Sequence, residues 1–186
     1  VLQFFGQSDT NYTPTLVVTY GGLAGDPYWR QATNVWENPL MVHTPPAQLR
    51  AVAAQLYVEL LQGGYTQVCE FHYLHHQEDG QPYADEATMA WAVADAAHDA
   101  GMGLTVLPVL YERAGFAQPA LRPDQRRFAG TREFIARLHR KVQAAGRPLV
   151  NAGVSIHSLR AASAKSIAAL LAQVGDADVP IHIHVA

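Results

Sequence analysis

From about residue 44 onward, the chain alternates between two patterns of apolar positions. Stretches with apolar residues three or four apart predict helices, and the short apolar runs between them predict strands. The first helix is expected to have Thr44 as its hydroxyl cap and Pro45 in its first turn, and to end at Gly63. Asp85 is expected to cap a second helix. The predicted helices span residues 44–62, 85–100, 131–145 and 163–174, and the predicted strands span 65–74, 104–111, 150–156 and 181–185.

This alternation of strands and helices is typical of an α/β fold with parallel strands. An open doubly wound sheet and part of an eight-stranded barrel both satisfy it. No Gly-x-Gly-x-x-Gly motif follows a strand, which argues against a dinucleotide-binding fold. A complete barrel usually needs about 250 residues. The chain has 186, so we predict a partial (β/α)8 TIM-type barrel with about four to five parallel strands and outer helices.

Two segments are predicted. Residues 1–43 form a divergent N-terminal segment, in which residues 15–20 could be a first barrel strand. Residues 44–186 form the partial barrel of a metal-dependent hydrolase, an assignment that depends on the family resemblance given below.

Composition excludes several partners. The net charge of −3 offers no electrostatic footprint for nucleic acid or for an anionic membrane. No apolar run is long enough to span a bilayer. The single cysteine, Cys69, allows no intrachain disulfide and fits a reducing compartment. We therefore expect a cytoplasmic protein without nucleic-acid or membrane partners.

Histidines mark the end of the last predicted strand. Side chains alternate along a strand, so His182 and His184 share one face and Ile181 and Ile183 share the other. Neutral imidazole is a good ligand for divalent metals. The segment is predicted to be a short buried strand with a metal site at the mouth of a barrel. The alternative is an edge strand with one solvated and one hydrogen-bonded histidine.

His157 and Arg160 lie just past the preceding strand. An arginine fork matches a carboxylate with two parallel hydrogen bonds, and a neighbouring histidine can add another donor. The two residues therefore suggest an anion-binding pair. The alternative is an exposed arginine beside a helix start.

His72, His75 and His76 lie at the end of the strand that finishes near Leu74. They could form a metal cluster, but His75 and His76 are adjacent and point apart in an extended chain, so we expect some of the three to be structural or solvated. Glu70 would be buried and would need a partner. Tyr73 could donate its hydroxyl to a ligand or could serve as a core aromatic residue. Cys69 is expected in the core. The long segment 112–130 could act as a lid, and its residues 125–127 are expected to face solvent.

Several of these segments resemble the formimidoylglutamate deiminases of the amidohydrolase superfamily. The resemblance begins near residue 44 and continues to the end. Its most specific stretches are Glu-Phe-His-Tyr-Leu-His-His at 70–76 and His-Ser-Leu-Arg-Ala at 157–161, and others are Gln-Arg-Arg-Phe at 125–128 and His-Ile-His-Val-Ala at 182–186.

The resemblance implies a (β/α)8 barrel with one divalent metal, usually zinc, and a small dicarboxylate substrate. The implied reaction hydrolyses the formimidoyl group of N-formimino-L-glutamate, in histidine degradation. It makes His184 a metal ligand, His157 and Arg160 the pair that holds the substrate carboxylates, and Tyr73 a substrate contact.

The chain departs from the family pattern at both ends. The His-x-His metal pair expected after the first strand has no match, since residues 19–24 read Thr-Tyr-Gly-Gly-Leu-Ala. The family's proton-shuttling glutamate would follow Ala186, so no catalytic residue is assigned. A single ligand does not hold a catalytic zinc. We therefore expect a fragment that is inactive alone, with two unpaired sheet edges that would allow a homodimer.

Two other functions fit the same residues. The chain could belong to another deaminase of the superfamily, acting on nucleobases or triazines, although such substrates need no anion pair. It could also be a half-barrel that catalyses nothing.

Overall fold

The computed structural model describes residues 43–175 and 178–185. The predicted strand at residues 15–20 lies outside them. In this part of the chain, parallel strands pair in the order β1, β2, β4, β5, and β3 also pairs with β2. The strands are β1 (Gln67–His72), β2 (Gly103–Leu110), β3 (Val150–Ala152), β4 (Val154–Ile156) and β5 (Ile181–Ile183).

The helices alternate with these strands as the apolar pattern predicts. They are α1 (Pro46–Gln62), α2 (Thr88–Ala100), α3 (Arg132–Ala144) and α4 (Ala164–Val174), together with a 3-10 helix at Pro123–Phe128. Helices α3 and α4 begin directly after Thr131 and Ser163, the first residues of the predicted helices, whose hydroxyl oxygens each accept a backbone N–H three residues later. None of the helices in the described ranges is long and apolar enough to cross a membrane.

The two predicted caps, Thr44 and Asp85, are wrong. Pro45 occupies the N-cap of α1 and Pro46 its first turn, so Thr44 lies outside the helix. Asp85 lies three residues before Thr88, where α2 begins, and its carboxylate accepts the N–H of Ala87 in the preceding turn. The error at Asp85 arises because a polar residue near a helix start can bond within a turn as well as at the cap itself.

The predicted strand at 150–156 is split at Gly153. A Cβ at this position would clash with the carbonyl of Pro180 and the side chain of Leu107, so only glycine fits between β2 and the start of β5. The break lets β3 and β4 pair with successive parts of β2.

The core lies between the sheet and the helices. Every residue of β2 is buried, and Leu104, Val106 and Leu110 pack with apolar residues of α2 and α3. Two predictions about burial are wrong. Cys69 is exposed on β1, and the last strand is not buried, since Ile181 is 55% and Ile183 is 37% exposed. Alternation in a strand fixes which residues share a face but not whether another element covers it.

Candidate active site

Four of the sheet's strands deliver a ring side chain to the same end. Tyr73 follows β1, Tyr111 follows β2, His157 follows β4 and His184 follows β5. Because the strands are parallel, their C-terminal ends meet at one edge of the sheet. The ring of His157 lies 4.4 Å from that of Tyr111, 5.9 Å from that of His184 and 6.4 Å from that of Tyr73, measured between centroids.

Phe71, which the sequence did not single out, packs against several rings of this cluster. Its ring stacks on His184 with the centroids 4.0 Å apart. It also lies 5.6 Å from His182, 6.0 Å from Tyr73 and 6.1 Å from His157. Phe71 and Tyr73 are two residues apart and therefore on one face of the chain, which is the only signal that could have pointed to it.

Burial keeps the imidazoles of the cluster neutral. Loss of solvent, together with the charges of His184 and Arg160, lowers the pKa of His157 to about 4. Loss of solvent also lowers the pKa of His184, with a contribution from His182. The pKa of Tyr73 is raised, mainly by burial, so its hydroxyl stays protonated. At neutral pH the cluster therefore presents nitrogen ligands and neutral donors.

Arg160 brings a positive charge to the rim of the cluster. It is exposed, and its guanidinium hydrogen-bonds no other side chain in the described ranges. Burial lowers the pKa of His157 and raises that of Tyr111; the charge of Arg160 adds to the first effect and opposes the second. The two residues of the predicted anion pair therefore act on each other electrostatically, and no other side chain in the described ranges occupies the arginine fork.

Among the described residues, His184 is the one that the family resemblance predicts as a metal ligand. Its neutral, partly buried ring at a strand end suits that role. Within residues 43–175 and 178–185, no group of three or more His, Cys, Asp or Glu side chains could hold a metal ion. Since a catalytic zinc needs about three protein ligands, this part of the chain does not form a complete metal site, and His184 fits only as one member of a larger set.

The histidines of β1 lie apart from the cluster. His72 and His75 are buried with their rings 5.2 Å apart, and His75 packs on Phe134 of α3. His76 is hydrogen-bonded through Nε2 to the carbonyl of Ala129 at 2.8 Å. These contacts match the expected structural role.

Glu70 has the partner that its burial requires. The hydroxyl of the fully buried Tyr57 donates to its carboxylate at 2.8 Å. Burial raises the pKa of Glu70, and the Tyr57 hydrogen bond opposes that rise.

The prediction that residues 125–127 face solvent is wrong for two of them. Gln125 is 7% exposed, and its amide donates to the Tyr111 hydroxyl at 2.9 Å. Arg127 is 3% exposed and donates to the carbonyls of His76 and Thr44. The 3-10 helix therefore ties the 112–130 segment to the ends of β1 and β2. Glutamine and arginine look solvated in a sequence, and only tertiary contacts reveal their buried partners.

The architecture and the ring cluster together define one half of a TIM-type barrel whose strand ends carry histidines, the arrangement of a barrel hydrolase. The chain belongs to the amidohydrolase family, whose model matches residues 20–186. This confirms the predicted fold class and the predicted family.

Known proteins extend the assignment. The chain is 41% identical over 169 residues to the formimidoylglutamate deiminase of Pseudomonas aeruginosa, covering 89% of the chain and 36% of that protein. It is 40% identical, with a TM-score of 0.77, to the crystal structure of an amidohydrolase from Brucella melitensis, covering 91% of the chain and 37% of that structure. The chain thus spans about a third of the length of these relatives.

A more distant structure shows the same fold. The atrazine chlorohydrolase of Arthrobacter aurescens, solved as a complex with zinc, has a TM-score of 0.61 and 19% identity to the chain. The alignment covers 86% of the chain and 32% of that enzyme.

Proposed function

We propose that the chain provides the substrate-binding half of a hydrolase that removes ammonia from the formimidoyl group of N-formimino-L-glutamate and leaves N-formyl-L-glutamate. The observation that carries the proposal is the joint position of Tyr73, His157, Arg160 and His184 at one end of the sheet. The named relative from Pseudomonas aeruginosa supports it.

The chain's own residues would bind and orient the glutamate portion. Arg160 has a free fork that can pair with a substrate carboxylate. The Ser158 hydroxyl lies 3.2 Å from Nδ1 of His157. If that hydroxyl donates to Nδ1, the other ring nitrogen carries the proton and becomes a donor toward the carboxylates. The protonated hydroxyl of Tyr73 adds a third donor.

A divalent metal, which we take to be zinc, would supply an activated water when bound. His184 would be one of its ligands. The zinc in the related atrazine chlorohydrolase supports this choice of metal. The balanced reaction adds water to the formimidoyl carbon and breaks its bond to the terminal nitrogen, which leaves as ammonia. Holding the glutamate portion at Arg160 and His157, whose ring lies 5.9 Å from that of His184, would bring that carbon toward His184, a positioning contribution.

The first test is binding to the chain itself. We expect N-formyl-L-glutamate to shift the NMR signals of Tyr73, His157 and Arg160, and the Arg160→Met variant to weaken binding at least about tenfold, because a charged hydrogen-bonding partner is lost. Arg140→Met, which alters an exposed arginine on α3, is the matched control and should bind normally.

The second test is turnover in a chimera. Residues 44–185 replace the matching stretch of the Pseudomonas aeruginosa relative, and ammonia release from N-formimino-L-glutamate is measured. Activity that disappears with Arg160→Met supports the proposal. A chimera that is folded and binds metal but deaminates only a nucleobase such as guanine contradicts it and favours another deaminase of the superfamily.

A further inference from the structure

Arg113, at the start of the 112–130 segment, holds the backbone of the turn that carries Arg160. Its Nε donates to the carbonyl of Arg160 at 2.8 Å. Its Nη2 donates to the carbonyls of Leu159 at 2.9 Å and of Ala162 at 3.1 Å. One guanidinium therefore binds three carbonyls of a single turn.

The backbone beside Arg113 binds the remaining carbonyl. The amides of Glu112 and Arg113 both donate to the carbonyl of Ala161, at 2.9 and 3.1 Å. All four consecutive carbonyls from residue 159 to 162 thus receive hydrogen bonds from two adjacent residues that follow β2.

Apart from these hydrogen bonds, few contacts hold the exposed part of the backbone of this turn. Leu159 is 61% exposed and Arg160 is also exposed, so neither is held by burial of its side chain. Inside the turn, the Ser158 carbonyl accepts the amides of Ala161 and Ala162 at 3.1 and 3.2 Å. Ala161 and Ala162 are buried, so the hydrogen bonds from Arg113 restrict the part of the turn that burial does not.

We propose that Arg113 is a positioning residue that fixes the 158–162 turn and, through it, places Arg160 and His157 for an anionic ligand. This inference rests on the proposed function, in which those two residues bind substrate carboxylates. The planar fork is essential, because it reaches several carbonyls at once, whereas the single ammonium group of a lysine cannot reproduce that geometry.

The experiment compares the full chain with Arg113→Met and Arg113→Lys variants. Phe116→Ala is the matched control. It removes the ring that lies 5.6 Å from the Arg113 guanidinium carbon and leaves the carbonyl contacts in place. Two quantities are measured by NMR, the hydrogen exchange of the Ala161 and Ala162 amides and the affinity for N-formyl-L-glutamate.

We expect the two turn amides to exchange about 10- to 100-fold faster in Arg113→Met, because charge-assisted hydrogen bonds are lost, while core amides such as that of Val106 keep their rates. Affinity should fall about tenfold in the same variant. In both exchange rate and affinity, Arg113→Lys should lie between Arg113→Met and the wild type, and Phe116→Ala should match the wild type.

A double-mutant cycle separates positioning from general stability. With Arg160 already replaced by methionine, adding Arg113→Met should weaken affinity by less than about twofold further, since the group to be placed is gone. An equal loss in both backgrounds would overturn the inference.

The exchange measurement needs no ligand, so the two proposals can fail separately. Unchanged exchange at Ala161 and Ala162 overturns the positioning role whatever the affinity. Faster exchange with unchanged affinity also overturns it. A wild-type chain that binds no N-formyl-L-glutamate contradicts the proposed function, and exchange alone then decides whether Arg113 holds the turn.

Discussion

His72 should make the protein sensitive to mild acid. The ring is buried, and its Nε2 finds no hydrogen-bond partner among the described residues. Loss of solvent lowers the pKa of His72 from 6.5 to about 4. Below about pH 6.5, the unfolded chain therefore binds a proton at this histidine that the folded chain does not bind. The contribution of neutral His72 to stability is complete above that pH and is lost as the pH falls toward 4.

The size of the effect follows from the two pKa values. Between pH 8 and pH 5, a shift from 6.5 to about 4 removes about 2 kcal/mol from the free energy of unfolding. His75 adds to the loss, since its pKa is also lowered by burial and by the neighbouring histidines His72 and His76.

The assay is urea denaturation at pH 8, 6.5 and 5, followed by circular dichroism. His72→Phe should fold, because the ring borders a largely apolar cavity of about 300 Å³. Between pH 8 and pH 5, the free energy of unfolding of this variant should fall by about 2 kcal/mol less than that of the wild type. The exposed His98→Gln should behave like the wild type. Equal losses in wild type and His72→Phe would refute the reasoning.

Three further changes test the fold by the same denaturation assay at pH 7. Tyr57→Phe should lower the free energy of unfolding by about 1–3 kcal/mol, because buried Glu70 loses its hydrogen-bond donor. An unchanged free energy of unfolding would mean that water replaces the hydroxyl. Leu149→Gly should stabilise by up to about 1 kcal/mol, because Leu149 is exposed and has a φ of 61°, where side chains are strained; a loss of stability would show that the leucine packs. Gly153→Ala should cost at least about 2 kcal/mol, because its Cβ would meet the Pro180 carbonyl; a neutral result would show that the strands can separate there.

Local sequence rules determined where the helices and strands lie and which end of the sheet carries polar residues. Apolar spacing placed the helices and strands, since periodicity reports which side of an element is buried. Two of the predicted helices start at Thr131 and Ser163, which the structure shows to be their capping residues. Parallel order followed from the alternation of strand and helix, and it brought Tyr73, His157 and His184 to one edge.

Only the tertiary structure decided which polar residues are buried and what they hold. Gln125 donates a hydrogen bond to Tyr111, which packs on His157. Arg113 donates hydrogen bonds to a turn that lies 46–49 residues away in sequence. Exposure of Cys69 and of the last strand likewise depends on which elements cover them. Such contacts join residues far apart in the chain, and the composition of a short segment carries no information about the partner that folding brings to it.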